Sequence, residues 1–230
     1  MREVVLDTET TGLSPDDGNR IIEIGCVELW NRAPTGLTYH EYVNPGRDIP
    51  LEITQITGLT SDFLEKFTAF DTIVDSFLDF IGDSPLVIHN AKFDINFLNS
   101  ELHMVGKPLL DINRAIDTLL IARKKFPGQP ASLDALSRRF NVNIPRERHG
   151  ALLDSQILAE VYIELNGGRQ RILNLSEAAI GQPNEDASTP AAQNKGTHGF
   201  PRRAFPVPAA DLLVFDQMLG KIKNPAWTKD

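Results

Sequence analysis

Two carboxylates stand two residues apart at the end of a short apolar run: Asp7 and Glu9 in V-V-L-D-T-E-T-T-G, residues 4–12. Val4, Val5 and Leu6 are strand formers, and Gly12 closes the segment. Side chains alternate across a strand, so Asp7 and Glu9 point to one face. Like charges held together push one of the pair towards protonation unless something neutralises them. A hard cation between them would do so; a polar strand end facing water is the plain alternative. Two later stretches add groups of the same kind. In I-H-N-A-K-F-D-I-N-F-L, residues 88–98, a strand end meets a helix start, with Asp94 in the first turns. Taken alone, Asp94 would be an ordinary partner of the helix dipole. In R-H-G-A-L-L-D-S-Q-I-L-A-E, residues 148–160, His149 and Asp154 lie five apart. On a continuous helix that spacing separates them by about 140°, at about 100° per residue. His149 is therefore expected on the loop before the helix and Asp154 on the helix, from where both can approach one point. The set Asp7, Glu9, Asp94, His149 and Asp154 falls at element ends throughout.

The elements that must position this set are legible in outline. Residues 20–30 alternate apolar and polar and predict a strand, and residues 36–44 predict another before Pro45-Gly46 breaks the pattern. Three successive strands with short links imply an antiparallel meander. Phe70, Ile73, Val74, Phe77, Leu78 and Ile81 recur at helical spacing. A short strand L-V-I-H follows Pro85, then a helix ending near Gly106 and a strand near Arg114–Asp117. Helices are expected at about 118–126, 132–140 and 150–166, the last closed by Gly167-Gly168. Antiparallel strands followed by βα units make an α/β fold, a mixed sheet covered by helices.

Bulk properties restrict the function classes. The 230 residues suffice for one sizeable domain and an extension. The single cysteine, Cys26, sits in an apolar run, forms no internal disulfide and fits a reducing compartment. No membrane span and no signal peptide are expected, which points to a soluble cytoplasmic protein. The net charge of −8 argues against a broad nucleic-acid-binding face. It is unevenly placed, however. Residues 1–106 hold 6 Lys and Arg against 18 Asp and Glu, whereas residues 107–180 hold 11 against 8. Such a chain would grip a polyanion through bound cations.

Together these stretches resemble the DEDDh family of 3′–5′ exonucleases and, within it, the proofreading nucleases of bacterial replicative DNA polymerases. The resemblance covers about residues 3–166, through D-T-E-T-T-G, H-N-A-K-F-D, H-G-A-L-L-D-S and F-P-G-Q-P-A-S-L-D-A-L at 126–136. It implies a ribonuclease-H-like mixed five-stranded sheet flanked by helices, the first three strands antiparallel. It implies metal ligation by Asp7, Glu9, Asp94 and Asp154 and a general-base role for His149. Four carboxylates and a scissile phosphate bring about five negative charges together, and two divalent cations roughly 3.5–4 Å apart offset four of them. Oxygen ligation favours Mg²⁺ or Mn²⁺ over zinc. An imidazole of ordinary pKa, about 6.5, is largely neutral at pH 7 to 8 and can take the proton of the attacking water. The resemblance also implies substrate contacts: Asp7, Glu9 and Asp154 through the metals, Thr10 at the 3′ end, and Glu52 in P-L-E-I-T-Q-I-T-G-L. Glu52 reads equally as a surface helix acid. Thr57 stands where the family often has His; a hydroxyl donates a hydrogen bond but neither stacks nor carries charge.

The domain so delimited is 1–168. Immediately after it, Gln170, Leu173 and Leu175 in R-Q-R-I-L-N-L resemble a sliding-clamp-binding peptide, a reading that stands beside an ordinary helix-to-linker segment, with 169–176 as its bounds. Residues 177–208 are rich in Pro, Gly, Ser, Thr, Asn and Gln and are expected to form a flexible linker within a flexible C-terminal tail. In 209–230, Leu212, Phe215, Leu219 and Ile222 fall on one helical stripe and Trp227 sits near the end. This segment resembles in placement a tail that docks on the polymerase subunit; the alternative is a helix folded back on its own domain. The expected partner is then the 3′ end of single-stranded or frayed DNA. The rival functions are a free-standing RNA-trimming DEDDh exonuclease, and a catalytically silent subunit bridging polymerase and clamp.

Overall fold

The computed structural model describes residues 1–145 and 148–168. Three antiparallel strands open the chain: β1 (Arg2–Thr10), β2 (Ile21–Trp30) and β3 (Ala33–Tyr42). The β2–β3 hairpin turns on Asn31 and Arg32, both with positive φ (52° and 64°), as a two-residue primed turn requires. That tight turn starts β3 at Ala33, three residues ahead of the sequence expectation. Two short helices follow, α1 (Leu51–Thr57) and α2 (Ser61–Leu64), then α3 (Phe70–Ile81), β4 (Leu86–Ile88), α4 (Ala91–Met104), β5 (Ala115–Asp117), α5 (Thr118–Lys125), α6 (Leu133–Phe140) and α7 (Ala151–Leu165). The sheet order is β3-β2-β1-β4-β5, with β4 parallel to β1 and β5 parallel to β4. The five strands and the antiparallel opening are those expected from the sequence.

Both faces of the sheet are covered. On one side Val4, Leu6, Ile24, Cys26, Leu86 and Ile88 pack with the buried stripe of α3 and with Phe97 and Leu98 of α4. On the other, Val5, Val27, Leu29 and Val87 pack against Leu158, Ala159 and Tyr162 of α7. Each large side chain removed from water in this way contributes about 1.5–3 kcal/mol. α5 and α6 then lean on α7 through Ala122, Leu136, Ile157 and Val161. Buried on both sides, α7 is apolar almost all round, as its position demands. Cys26 lies within the first of these clusters, and burial pushes its thiol far up; it is a small core hydrophobe.

A partly buried ion pair ties the layers together. Arg20, just before β2, donates Nε and Nη2 to the two carboxylate oxygens of Glu101 on α4, both at 2.7 Å. The Ile21 N–H also reaches Glu101, at 3.2 Å. This fork fixes the start of β2, which pairs with the functional end of β1.

Candidate active site

The end of β1 is where the sequence-predicted residues converge. Asp7 and Glu9 are both half-buried on this strand, and the register sets Asp7 opposite Gly25 and Glu9 opposite Glu23. Thr8, between them, faces the other way. Its N–H (3.0 Å) and hydroxyl (2.7 Å) both donate to Oδ1 of Asp94, in the first turn of α4. Asp94 is only 3% exposed. Burial pushes its carboxyl up to about 7, against the lowering effect of the two Thr8 hydrogen bonds.

Asp154 is brought in by a close helix–sheet contact. A Cβ on Gly25 would lie 2.2 Å from the Ala151 carbonyl carbon and the Leu152 nitrogen, so only glycine lets α7 start directly on β2. The Ser155 hydroxyl donates to the Gly25 carbonyl at 2.8 Å and locks the contact. Asp154, 3% exposed, is thereby held one turn into α7. His149 lies on the preceding loop, as its spacing from Asp154 requires. It is half-exposed, its Nδ1 is 3.4 Å from Asp154 Oδ2, and its N–H donates to the Ile56 carbonyl at the end of α1. Gly58, at φ +80°, leaves room there for the Arg148 guanidinium.

Glu9, His149 and Asp154 each present one donor atom, all within 4.8 Å of one another. Among the described residues this is the group compact enough to hold a metal ion. Two carboxylates and an imidazole suit a divalent cation. Asp7 shares the strand face of Glu9, and Asp94 stands beside the strand on the neighbouring helix.

The other predicted contact residues lie around this centre. Glu52 is exposed in the first turn of α1, whose C-terminal end touches the His149 loop. Thr57 is buried: its hydroxyl donates to the Ile53 carbonyl and accepts from the Leu59 N–H, so the group expected to meet substrate serves its own turn. The Thr10 hydroxyl similarly donates to the Gly12 carbonyl at 2.6 Å. Gln170, Leu173, Leu175 and Trp227 lie outside the described residues.

Three supporting residues carry no such signal in the motifs themselves. Gly25 and Thr8 position Asp154 and Asp94. Glu23, buried and opposite Glu9, pairs with His40 Nε2 at 2.7 Å and faces Gly150 at the start of α7. Glycine inside the alternating strand I-I-E-I-G-C-V-E-L is the one available clue, since such a glycine marks close backbone approach.

Comparison with known proteins decides the class. The family described as Exonuclease matches residues 4–162. The chain belongs to the exonuclease family. The exonuclease is 50% identical over 184 residues to DNA polymerase III subunit epsilon of Rickettsia felis, covering 78% of this chain and 80% of that protein. Among solved structures, Exonuclease X in complex with 5′ overhanging duplex DNA is 26% identical, with a TM-score of 0.56, covering 71% of this chain and 90% of that one. The nuclease domain of 3′hExo, a DEDDh family member bound to rAMP, shares the ribonuclease-H-like fold, with a TM-score of 0.61 at 19% identity over 74% of this chain and 94% of that one. The exonuclease is a metal-dependent enzyme of 3′–5′ polarity. Among its described residues no helix is long and apolar enough to cross a membrane.

Proposed function

We propose that this chain is the proofreading 3′–5′ exonuclease of a bacterial DNA polymerase III, which removes mispaired 3′-terminal nucleotides in the cytoplasm beside the chromosome. The observation that carries the chemistry is the approach of Glu9, His149 and Asp154 donor atoms to within 4.8 Å on the strand face that also holds Asp7. Asp7, Glu9, Asp94 and Asp154 would hold two divalent cations, Mg²⁺ or Mn²⁺. Bound there, the cations supply acidification of water and charge stabilisation at the leaving 3′-oxygen. The chain's own residues do the rest. His149 keeps Nδ1 towards Asp154, and its Nε2 takes the proton of the attacking water. Glu52, on the helix that abuts the His149 loop, would meet the terminal nucleotide, and Thr57 and Thr10 would contribute through the backbone they brace.

Partner roles are proposed from the sequence beyond residue 168. Gln170, Leu173 and Leu175 would bind the sliding clamp, and the 209–230 segment with Trp227 would bind the polymerase subunit across the 177–208 linker. Tethering raises the effective concentration of a weakly held 3′ end, which fits an enzyme of net charge −8. Degradation of 3′-labelled single-stranded DNA and of RNA, each with Mg²⁺ and with a chelator, tests the reading. Metal-dependent loss of DNA label supports it; a clear preference for RNA, or no cleavage, would replace it with the trimming enzyme or the silent bridge.

A further inference from the structure

We propose that the cleft between α5 and α6 binds a backbone phosphate of the nucleic-acid strand upstream of its 3′ end; this rests on the nuclease reading above. The cleft has a volume of about 430 Å³ and is lined by His89, Leu119, Arg123, Gln129 and Ser132, among others. Its place follows from the sheet register. Val5 lies beside Val87 on β4, and Val87 beside Ile116 on β5. Just past the ends of β4 and β5 come His89 and Thr118, whose Nδ1 and hydroxyl lie 2.9 Å apart, near the end of β1 that carries Asp7. Adjacent strands are about 4.8 Å apart, so β5 is about 10 Å from β1. A strand stacked at about 3.4 Å per nucleotide covers that in about three nucleotides. A 3′ end seated over Asp7 and Glu9 that runs past the end of β4 would meet this cleft, which His89 lines.

The groups in the cleft are arranged as donors. Arg139 stacks on the Phe126 ring, with its guanidinium carbon 4.4 Å from the centroid, and donates to Gln129 Oε1 at 2.6 Å. That fixes the amide by its oxygen and leaves its NH₂ to donate. The Ser132 oxygen accepts the Ala135 N–H as a helix cap, which leaves its O–H to donate. Arg123 is exposed, and no ion pair engages it among the described residues. Asp117, at the start of α5, has its carboxylate occupied by the N–H groups of Asn90, Ala91, Leu119 and Leu120; α6 carries one acid, Asp134, in its first turn. A guanidinium, an amide NH₂ and a hydroxyl around one opening select a phosphate over a cation or an apolar peptide. The surrounding charge agrees, since α5 ends in Arg123, Lys124 and Lys125 and α6 in Arg138 and Arg139, within an otherwise acidic chain.

The test compares full-length wild type with Arg123→Glu and Gln129→Ala on two substrates. One is a 3′-labelled single-stranded oligonucleotide across a salt series. The other is the p-nitrophenyl ester of thymidine 5′-monophosphate, which carries no upstream strand and reads the reaction centre alone. The expected result is an oligonucleotide KM raised about 3- to 10-fold by Arg123→Glu at low salt. Its log–log salt dependence should be shallower by about 0.7, kcat should hold, and the nucleotide ester should be cleaved as by wild type. An unchanged oligonucleotide KM overturns the proposal. So does an equal loss on both substrates, which would make Arg123 a support of the reaction centre. Loss of polymerase-subunit binding with oligonucleotide kinetics intact also overturns it and makes the cleft a protein-docking surface. If wild type cleaves neither substrate, the nuclease reading fails separately. Anisotropy of a fluorescent single-stranded oligonucleotide then decides the cleft: weaker binding by Arg123→Glu sustains it, and unchanged binding ends it.

Discussion

Replacing Asp94 by Asn should stabilise the metal-free enzyme while abolishing its activity, and the gain should depend on pH in a defined direction. Asp94 is 3% exposed, and burial pushes its carboxyl from the ordinary aspartate range up to about 7. The folded chain therefore binds this proton more tightly than the unfolded chain does. Stability from this group is fully present below about pH 4, falls as pH rises, and levels off above about pH 7. At about 1.36 kcal/mol per tenfold change in proton affinity, ionising Asp94 in the folded metal-free chain costs about 4 kcal/mol. Asn keeps an oxygen for the Thr8 N–H and hydroxyl and has no charge to desolvate. Thermal melts in chelator between pH 4 and 8 should show wild type and Asp94→Asn close together at the acid end. They should separate towards neutrality by about 8–16 °C, at about 2–4 °C per kcal/mol for a chain of this size. Titrating groups remote from Asp94 cancel in the difference. A gap that stays constant across the range would place the Asp94 charge in a well-solvated or already compensated site instead.

His149→Ala should lose about 10²–10⁴-fold in rate while metal binding, followed by calorimetry, persists; loss of metal affinity instead would make His149 a ligand. Gly25→Ala drives a Cβ into the backbone of Ala151 and Leu152. It should lower kcat by about 10²-fold through displacement of Asp154 and cost about 1–3 kcal/mol in a melt. Arg20→Ala leaves the Glu101 carboxylate buried with the Ile21 N–H as its remaining hydrogen-bond donor; urea unfolding should show a loss of about 3 kcal/mol. A chain ending near Asn166 should keep its activity on single-stranded DNA but no longer co-elute with the polymerase subunit, and retained co-elution would move the docking site onto the catalytic domain.

What the sequence disclosed follows from periodicity. Alternation in 20–30 and the helical recurrence from Phe70 to Ile81 place β2 and α3 within a residue of their observed bounds. The period of two is enough by itself to put Asp7 and Glu9 on one face, and the spacing of His149 and Asp154 separates loop from helix. What stayed hidden depends on tertiary approach. α1 and α2 are too short, at 7 and 4 residues, to show a stripe. Gly25 gains its meaning from α7, which arrives some 125 residues later in the chain. Thr8 and Asp94 meet across 86 positions, and the Glu23–His40 pair reads as strand alternation until β3 is laid beside β2. The inward turn of the Thr57 hydroxyl was likewise invisible, because it depends on the helix that ends there.

The most direct test of the whole account is release of the 3′-terminal nucleotide from a mispaired primer terminus, measured for wild type and Asp154→Ala on preparations with matching melts. Wild type should release it rapidly with Mg²⁺ or Mn²⁺, not at all in chelator and more slowly from a paired terminus, and Asp154→Ala should release none. Release by Asp154→Ala at the wild-type rate, or undiminished release in chelator, would contradict the account.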